Sequence, residues 1–211
     1  MGDGSGLRVG VLCEFSVVVR DAFARRGHDA VSCDLLPCEA PGRHIQGNCL
    51  EQDWSGFDLL ICHPPCTYLC SSGLHWNKRT PGRADKTEDA LDFVCALLSL
   101  PAHRIALENP VGAIGSRIRK ADQYIQPYEF GHDASKRTGL WLKNLPPLVA
   151  TDRVEPRIVD GKPRWGNQTD GGQNRLGPSA DRWAKRSATY RGIAEAMADQ
   201  WGLAASEACD G

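Results

Sequence analysis

The segment Asp58–Gly73, with the sequence DLLICHPPCTYLCSSG, concentrates side chains that could do chemistry. Three cysteines, Cys62, Cys66 and Cys70, are evenly spaced in it, and His63 lies beside the first. Three thiols and an imidazole this close together could bind a metal ion, could pack as small buried side chains, or could include a nucleophile.

The residues around the cysteines favour different roles for them. Cys62 closes an apolar run, so we expect it to pack in the core. Pro64 and Pro65 remove two backbone donors and fix an extended path, which would hold Cys66 in place as a nucleophile requires. No second cysteine pair lies at zinc-ribbon spacing, which disfavours zinc. We therefore expect no metal and predict that Cys66 is a nucleophile.

Length and charge restrict the class of protein. The chain has 211 residues, enough for one ample core and too few for two full domains, and its net charge is −1. A nearly neutral chain has no global basic field, so contact with nucleic acid must come from a local patch. No stretch is apolar for long enough to span a bilayer, and the start lacks a secretory pattern. The nine cysteines follow no repeating framework, and we expect reduced thiols in a cytoplasmic protein.

Strand-like and helix-like segments alternate in the first half of the chain. The predicted strands are Leu7–Cys13, Asp29–Asp34, Phe57–Cys62 and His103–Pro110, and the predicted helices are Val17–Gly27 and Thr87–Pro101. This alternation predicts an α/β fold with a doubly wound, mostly parallel sheet. Ligands bind beyond the carboxyl ends of such strands. Four reactive residues lie at or just beyond the ends of predicted strands, which favours a site at this edge; they are Glu14, Asp34, Cys66 and Glu108.

The second half is less regular. Thr138–Leu148 resembles a further strand and turn, which we expect to be antiparallel, and residues 149–185 form a long irregular segment. A final helix is predicted within Ser187–Gly202, with Ser187 as its cap. The predicted organisation is a catalytic core at 1–148, a small recognition or lid segment at 149–185, and a helix returning to the core at 186–204.

Two motifs resemble those of a known family. Pro64–Thr67 (PPCT) and Glu108–Pro110 (ENP), one helix and one strand apart, resemble the Pro-Cys and Glu-Asn-Val motifs of cytosine-C5 DNA methyltransferases. The chain looks closest to the small, largely phage-encoded branch without a large target-recognition domain. The resemblance implies a Rossmann-like methyltransferase fold, S-adenosyl-L-methionine as cofactor, and methylation of C5 of cytosine.

The resemblance also assigns cofactor-binding residues. CEFSVVVRDAF looks like a degenerate form of the family's opening cofactor loop, with Phe15 as its aromatic residue. Asp34 matches the acid that takes the ribose hydroxyls, and Asn48 stands where an Asp usually holds the adenine. The cofactor-binding residues implied are Phe15, Ser16, Asp34, Leu35, Asn48, Pro64, Ser187 and Tyr190.

The family's chemistry implies roles for four residues. The Cys66 thiolate would add to C6 of the pyrimidine, and Glu108 would donate or share a proton at N3. Asn109 would orient that carboxyl group or its loop, and Arg137 would stabilise the adduct. QPYEFGHDASKRTGLWL resembles the family's Gln-Arg-Arg segment that braces the target base, with Lys136 and Arg137 as its basic pair. The substrate-binding residues implied are Pro65, Thr67, Ser71 and Lys136.

The substrate and the activity both leave alternatives. DNA is favoured by the family and by local Arg and Lys clusters, whereas a free cytosine nucleotide such as CMP or dCMP needs no base flipping. A third alternative is a degenerate nucleic-acid-binding module, because Val17–Val19 replace the family's glycines. Trp165 and Trp183 could each stack on a base or pack the small segment.

Overall fold

The structure is a computed structural model that describes residues 6–179 and 182–203, without the side chains of residues 183–185 and 203. The described strands are β1 (Arg8–Leu12), β2 (Asp29–Asp34), β3 (His44–Gln46), β4 (Leu59–Cys62), β5 (Arg104–Pro110), β6 (Gln123–Ile125), β7 (Thr138–Lys143), β8 (Arg157–Val159) and β9 (Lys162–Arg164). The described helices are α1 (Val18–Ala24), α2 (Ser71–Leu74), α3 (Arg83–Leu98), α4 (Ala113–Arg117), α5 (Arg182–Ser187) and α6 (Arg191–Leu203). Short 3-10 turns lie at Cys49–Glu51, Cys66–Tyr68, His75–Lys78 and Pro127–Glu129.

Seven strands form one sheet in the order β3-β2-β1-β4-β5-β7-β6. The first five strands in this order are parallel to one another, and β7 is antiparallel to both β5 and β6. The order reverses between β1 and β4, the kind of switch point at which such sheets bind ligands. The expected α/β fold with a doubly wound, mostly parallel sheet is confirmed.

Both faces of the sheet are covered by helices, which explains the unbroken apolar runs of its central strands. In β4, Leu59 and Ile61 join the cluster under α1 and α6, whereas Leu60 and Cys62 join the cluster under α3. Side chains alternate between the faces of a strand, so one apolar run contributes side chains to both hydrophobic clusters. Burying each such side chain stabilises the fold by about 1.5–3 kcal/mol. Cys62 is fully buried, as its place in the sequence predicts.

Helix α6 returns to the core and packs beside α1. Trp201 is fully buried, and its indole Nε1–H donates to the carbonyl of Pro146 at 3.0 Å. Arg26, just beyond α1, donates to Glu195 and to both carboxylate oxygens of Asp199 on α6. Of the described helices, none is both long enough and apolar enough to cross a membrane.

Two expectations for the second half of the chain need correction. Residues 149–185 are not uniformly irregular, because β8 and β9 form a hairpin. Its turn is Asp160–Gly161, where both residues have positive φ, of 49° and 72°; Asp-Gly favours this kind of turn.

The cap predicted for the last helix is also wrong. Ser187 ends α5, and α6 begins only at Arg191. A histidine side chain caps this helix instead of a serine. Nε2 of His132 accepts a hydrogen bond from the Gly192 N–H in the first turn of α6, at 2.8 Å. Burial lowers the pKa of His132, which suits this acceptor role.

Candidate active site

The two motifs meet at the carboxyl ends of the adjacent strands β4 and β5. The side-chain amide of Asn109 donates to the carbonyl of Pro64 at 2.7 Å, and this contact is buried. Asn109 is 1% exposed, so this hydrogen bond forms away from water, where a missing partner costs free energy. The loop that carries Cys66 is therefore tied to the strand that carries Glu108.

Cys66 does not act alone, because its thiol and that of Cys70 affect each other's pKa. Cys66 begins a 3-10 turn, and the Cys70 N–H donates to the Cys66 carbonyl at 2.9 Å, which brings the two residues together. The interaction with Cys66 lowers the pKa of Cys70 to about 5 against the opposing effect of burial, helped by Ser72, the Gly73 N–H and the charge of Arg186. The same interaction, together with burial, raises the pKa of Cys66. At neutral pH the pair holds one thiolate and one proton.

A cavity of about 320 Å³ opens over this thiol pair. It brings together three predicted residues, Cys66, Ser71 and Arg137. Sequence reasoning missed Cys70 and Arg186, which also line it. Cys70 could have been indicated by its position four residues after Cys66. Nothing in the sequence relates Arg186 to this loop.

Glu108 is buried, and its neighbours are polar or charged side chains, among them His63 and Lys136. Its Oε2 is 3.1 Å from Nδ1 of His63, and the two side chains are only 10% and 8% exposed. Burial opposes ionisation of Glu108, but the hydrogen bond with His63 and the charge of Lys136 outweigh it, so the pKa of Glu108 lies below its usual value. The carboxylate also acts electrostatically on Cys66.

A second and larger cavity, of about 550 Å³, lies on the other side of the Pro-Pro-Cys loop. It collects four of the residues expected to bind a cofactor, together with Pro65. Those four are Asp34, Leu35, Asn48 and Pro64. Tyr68, from the 3-10 turn that begins at Cys66, also lines it, as do Lys86, Asp89 and Phe93 from α3; no motif indicated these four residues.

The other predicted cofactor residues do not line this cavity. Phe15, Ser16 and Ser187 line a cavity of about 30 Å³ beside Glu14 and His63. Tyr190 lines a third cavity and contacts His132 edge to face. Thr67, expected to bind substrate, is exposed, and its carbonyl accepts a hydrogen bond from Arg83 at 3.0 Å.

Glu14 explains how the loop between β1 and α1 folds without glycines. Its carboxylate accepts from the N–H of Val19 at 2.7 Å and of Arg20 at 3.1 Å, and so satisfies two amides in the first turn of α1. Glu14 is 4% exposed, and burial raises its pKa. Val17 ahead of the helix has a φ of 59°, a left-handed conformation that costs a β-branched residue free energy. These amides are therefore occupied from within the chain.

A basic cavity of about 490 Å³ adjoins the thiol pair and shares Pro110 and Arg186 with the cavity above it. Lys136, Arg175 and Arg186 line it, and its described lining contains no carboxylate. Side-chain amides of Asn167 and Asn174 add hydrogen-bonding groups. Lys136 was predicted to bind substrate, whereas the two arginines were not: Arg175 lies in the segment expected to be irregular, and Arg186 lies at the start of the part expected to form the returning helix.

Three further hypotheses from the sequence concern Trp165, Trp183 and a metal site. Trp165 stacks on Tyr128 with ring centroids 4.3 Å apart, so it packs within the chain. The side chain of Trp183 lies outside the described residues. Among the described residues, no group of three or more His, Cys, Asp and Glu side chains is placed to hold a metal ion.

Comparison with known proteins adds a fold-level likeness and nothing finer. No family model and no curated protein matches the sequence. One similar solved structure is that of an E. coli prophage-encoded protein provisionally assigned as a DNA modification methyltransferase, with 15% identity and a TM-score of 0.43. The match covers 73% of this chain and 56% of that one, so the chain spans little more than half of its length. A likeness at this level carries no argument about the site.

Proposed function

We propose that this chain is an S-adenosylmethionine-dependent methyltransferase that acts on C5 of cytosine, most readily in DNA. The observation that carries the proposal is the buried hydrogen bond from Asn109 to the carbonyl of Pro64. It joins the two loops whose residues the mechanism needs, a thiol at Cys66 and a carboxyl group at Glu108. Two unrelated loops would have no reason to be joined in this way at the ligand-binding edge of the sheet.

The large cavity fits the proposed cofactor. Its volume of about 550 Å³ lies in the range of roughly 300–1,000 Å³ found for small-molecule sites. The Asp34 carboxylate at the end of β2 suits the ribose hydroxyls, Leu35 and Phe93 offer apolar surface for the adenine, and Lys86 offers a cation for the methionine carboxylate. When bound, S-adenosylmethionine supplies an electrophilic methyl group.

The chain's own residues would activate the cytosine. A thiolate of the cysteine pair adds to C6 through Cys66, and Cys70 takes up the proton that Cys66 gives up. Electron density shifts onto N3, where the Glu108 carboxyl group provides a proton. C5 then has enamine character and is nucleophilic. A base then removes the C5 proton, the Cys66 thiolate leaves, and the N3 proton returns to Glu108, which together restore the aromatic ring.

The basic cavity supports a phosphate-bearing substrate. Lys136, Arg175 and Arg186 lie next to the thiol pair, where a phosphate of the target nucleotide would be close to its base. DNA is our first choice, because exposed arginines at a cavity rim suit a phosphate backbone. A free cytosine nucleotide is the second candidate, because this cavity is also large enough for a mononucleotide.

Transfer of labelled methyl groups tests the proposal. The purified protein is incubated with methyl-labelled S-adenosylmethionine and, in separate reactions, with duplex DNA, single-stranded DNA, CMP, dCMP and CTP. We expect label in DNA that digestion recovers as 5-methylcytosine, and none with Cys66→Ala. Label only in a free nucleotide would favour the second candidate.

Two outcomes would overturn the proposal. One is full activity of Cys66→Ala, which would exclude the thiolate mechanism. The other is the absence of label from every substrate together with no binding of S-adenosylmethionine by calorimetry, which would identify a non-catalytic binding module. A melting curve of Cys66→Ala matching that of the wild type controls for folding.

A further inference from the structure

Four cysteines are grouped near the carboxyl ends of the parallel strands, apart from the thiol pair that contains Cys66. Cys13, Cys33 and Cys49 line the cavity of about 550 Å³. Cys62 is fully buried at the end of β4, next to β1. The proposed mechanism uses none of these four thiols, so they are candidates for a second reactive site.

Two of these thiols are in contact. Sγ of Cys13 lies 3.9 Å from Sγ of Cys49, although the two residues are 36 positions apart in the sequence. Both backbones are held in place, because the Cys13 N–H donates to the Cys33 carbonyl at 2.7 Å and the Cys49 carbonyl accepts from the indole of Trp54 at 2.6 Å. The S–S bond of a disulfide is about 2.05 Å long, so each sulfur needs to move by only about 1 Å to form one.

The neighbouring thiols are less suited to such a reaction. Cys62 has no exposed surface, and burial raises its pKa. Sγ of Cys33 donates to the Gly47 carbonyl at 3.6 Å, and burial raises the pKa of Cys33 to about 12. By contrast, the hydrogen bond with Cys13 lowers the pKa of Cys49 against the opposing effect of burial. Since the thiolate is the nucleophile in thiol chemistry, Cys49 is the thiol of this group that reacts first.

The cavity gives small reagents access to this pair. Cys13 and Cys49 both line it, and Cys13 is partly exposed. A volume of about 550 Å³ is many times the roughly 30 Å³ that one water molecule occupies in the liquid, and hydrogen peroxide is only slightly larger than water. A peroxide can therefore reach the sulfur atoms from the cavity.

We propose that Cys13 and Cys49 form a redox site, in which hydrogen peroxide converts the two thiols into a disulfide and a dithiol reductant restores them. The Cys49 thiolate attacks one peroxide oxygen, the O–O bond breaks, and hydroxide leaves, which gives a sulfenic acid on Cys49. Sγ of Cys13 then attacks this sulfur, the S–O bond breaks, and the hydroxyl group leaves as water with the Cys13 proton. Each sulfur loses one electron, and the peroxide gains two. The dithiol reverses the reaction by exchange and becomes a disulfide itself.

The disulfide would change the wall of the large cavity. Cys49 directly follows Asn48, which lines this cavity with Asp34, and Cys13 directly follows β1. A bond between the two sulfurs draws the turn that carries Asn48 toward the end of β1. Polar groups orient a ligand only when they are accurately placed, so the oxidised chain should bind the cavity's ligand more weakly. This consequence rests on the proposed function, which assigns the cavity to S-adenosylmethionine.

The first test identifies the bond by peptide mapping. The reduced full chain is treated with hydrogen peroxide at neutral pH, the remaining thiols are blocked with N-ethylmaleimide, and the digest is analysed by mass spectrometry. We expect a linked pair of peptides that contains Cys13 and Cys49 and that disappears after treatment with dithiothreitol. Absence of this linked pair from the treated wild type would overturn the proposal.

Single substitutions test the order of the two steps. In Cys13→Ser, the oxidation should stop at the sulfenic acid of Cys49, which dimedone traps covalently. In Cys49→Ser, Cys13 should take up no dimedone. Cys33→Ser, which alters a third thiol at the same cavity, is the matched control and should form the linked peptides at the wild-type rate. Labelling of Cys13 in Cys49→Ser instead of Cys49 in Cys13→Ser would contradict Cys49 as the attacking thiol.

The second test measures ligand binding by calorimetry. We expect peroxide to weaken binding of S-adenosylmethionine about tenfold in the wild type, because a wall of its cavity has moved, and dithiothreitol to restore it. The same treatment should leave the affinity of Cys49→Ser unchanged. An equal loss of affinity in Cys49→Ser would show that oxidation elsewhere in the chain is responsible, and would overturn the effect of the disulfide on the cavity.

The two tests separate this inference from the proposed function. Linked peptides with an unchanged affinity would overturn the effect on the cavity and leave the methyltransferase intact. Absence of binding by the reduced wild type would overturn the assignment of the cavity to S-adenosylmethionine, and with it the predicted change in affinity. The peptide map does not depend on that ligand, so it decides in either case whether Cys13 and Cys49 form the redox site.

Discussion

At the scale of residues, the ionisation of the side chains in the site depends on their neighbours. The thiols of Cys66 and Cys70 interact, and the Glu108 carboxylate hydrogen-bonds to His63. The interaction with Cys66 lowers the pKa of Cys70, and the one with His63 helps to lower the pKa of Glu108. Cys66 was predicted from the prolines before it, but its pKa is raised, and the charge lies with Cys70. A low-pKa nucleophile at this site is therefore a property of two cysteines.

The low pKa of Cys70 predicts how its rate of alkylation by iodoacetamide depends on pH. With a pKa of about 5, Cys70 is already a thiolate at pH 6, so its alkylation rate should stay nearly constant from pH 6 to pH 8. An ordinary thiol, with a pKa of about 8.5, should react about tenfold faster for each unit of pH in that range. Peptide mass spectrometry after timed labelling measures the rate, and the urea-unfolded protein is the control. A tenfold rise per unit at Cys70 in the folded protein would contradict the prediction.

At the scale of elements, ends and junctions position the site. The Glu14 carboxylate accepts hydrogen bonds from two amides in the first turn of α1, and the His132 imidazole accepts one from an amide at the start of α6. The two helices are then held together by Arg26, whose guanidinium binds Glu195 and Asp199. Since α6 follows directly after the segment that carries Arg186, its docking contributes to the position of the basic cavity.

Removal of the Arg26 guanidinium should loosen this junction. We expect Arg26→Ala to lower the free energy of unfolding by about 1–2 kcal/mol at pH 7, because two carboxylates lose charge-assisted hydrogen bonds. Urea denaturation measures the change, and Lys120→Ala, an exposed control, should change it by less than about 0.5 kcal/mol.

The same junction predicts a pH dependence. Arg26 and Arg25 lower the pKa of Glu195 in the folded state against the opposing effect of burial. A carboxylate with a depressed pKa stabilises the fold above its unfolded value of about 4.3, and this stabilisation is lost as the pH falls through the folded value. The difference between wild type and Arg26→Ala should therefore shrink below about pH 4. A difference that is the same at pH 7 and pH 3.5 would argue against the ion pairs as its source.

At the scale of the whole molecule, one loop separates two cavities. Pro64 and Pro65 line the cavity of about 550 Å³, and Cys66 lines the cavity of about 320 Å³. Both open at the carboxyl edge of the sheet, near the switch between β1 and β4. Two reactants bound on opposite sides of this loop would be brought close together without sharing a cavity.

Filling the larger cavity should block the proposed cofactor. Ala90 lines it from α3, whereas Ala84 is exposed on the same helix and does not line it. We expect Ala90→Trp to weaken binding of S-adenosylmethionine at least about tenfold by calorimetry, because the indole takes space that the ligand needs. Ala84→Trp should bind as wild type. Unchanged binding by a folded Ala90→Trp protein would place the cofactor elsewhere.

The sequence alone determined the fold class and the two motifs. Apolar runs such as LLIC of β4, alternating with a helical pattern, predict buried parallel strands because a strand covered on both faces needs apolar side chains on both. Pro64–Thr67 and Glu108–Pro110 could be recognised because backbone restriction by proline and the chemistry of thiols and carboxylates are local properties. Asp160–Gly161 is also a local turn signal, because Asp-Gly favours the hairpin turn that joins β8 and β9.

The tertiary structure decided which groups meet. Asn109 reaches Pro64 and His63 reaches Glu108 across 45 positions of sequence, because β4 and β5 are neighbours in the sheet. Arg186 joins the thiol pair from a helix far along the chain. Whether Cys66, Cys70 and Glu108 are ionised depends on distances of a few ångströms and on burial, since both set the strength of an electrostatic interaction. Residue types and spacing contain neither quantity, so those charge states follow only from the packed chain.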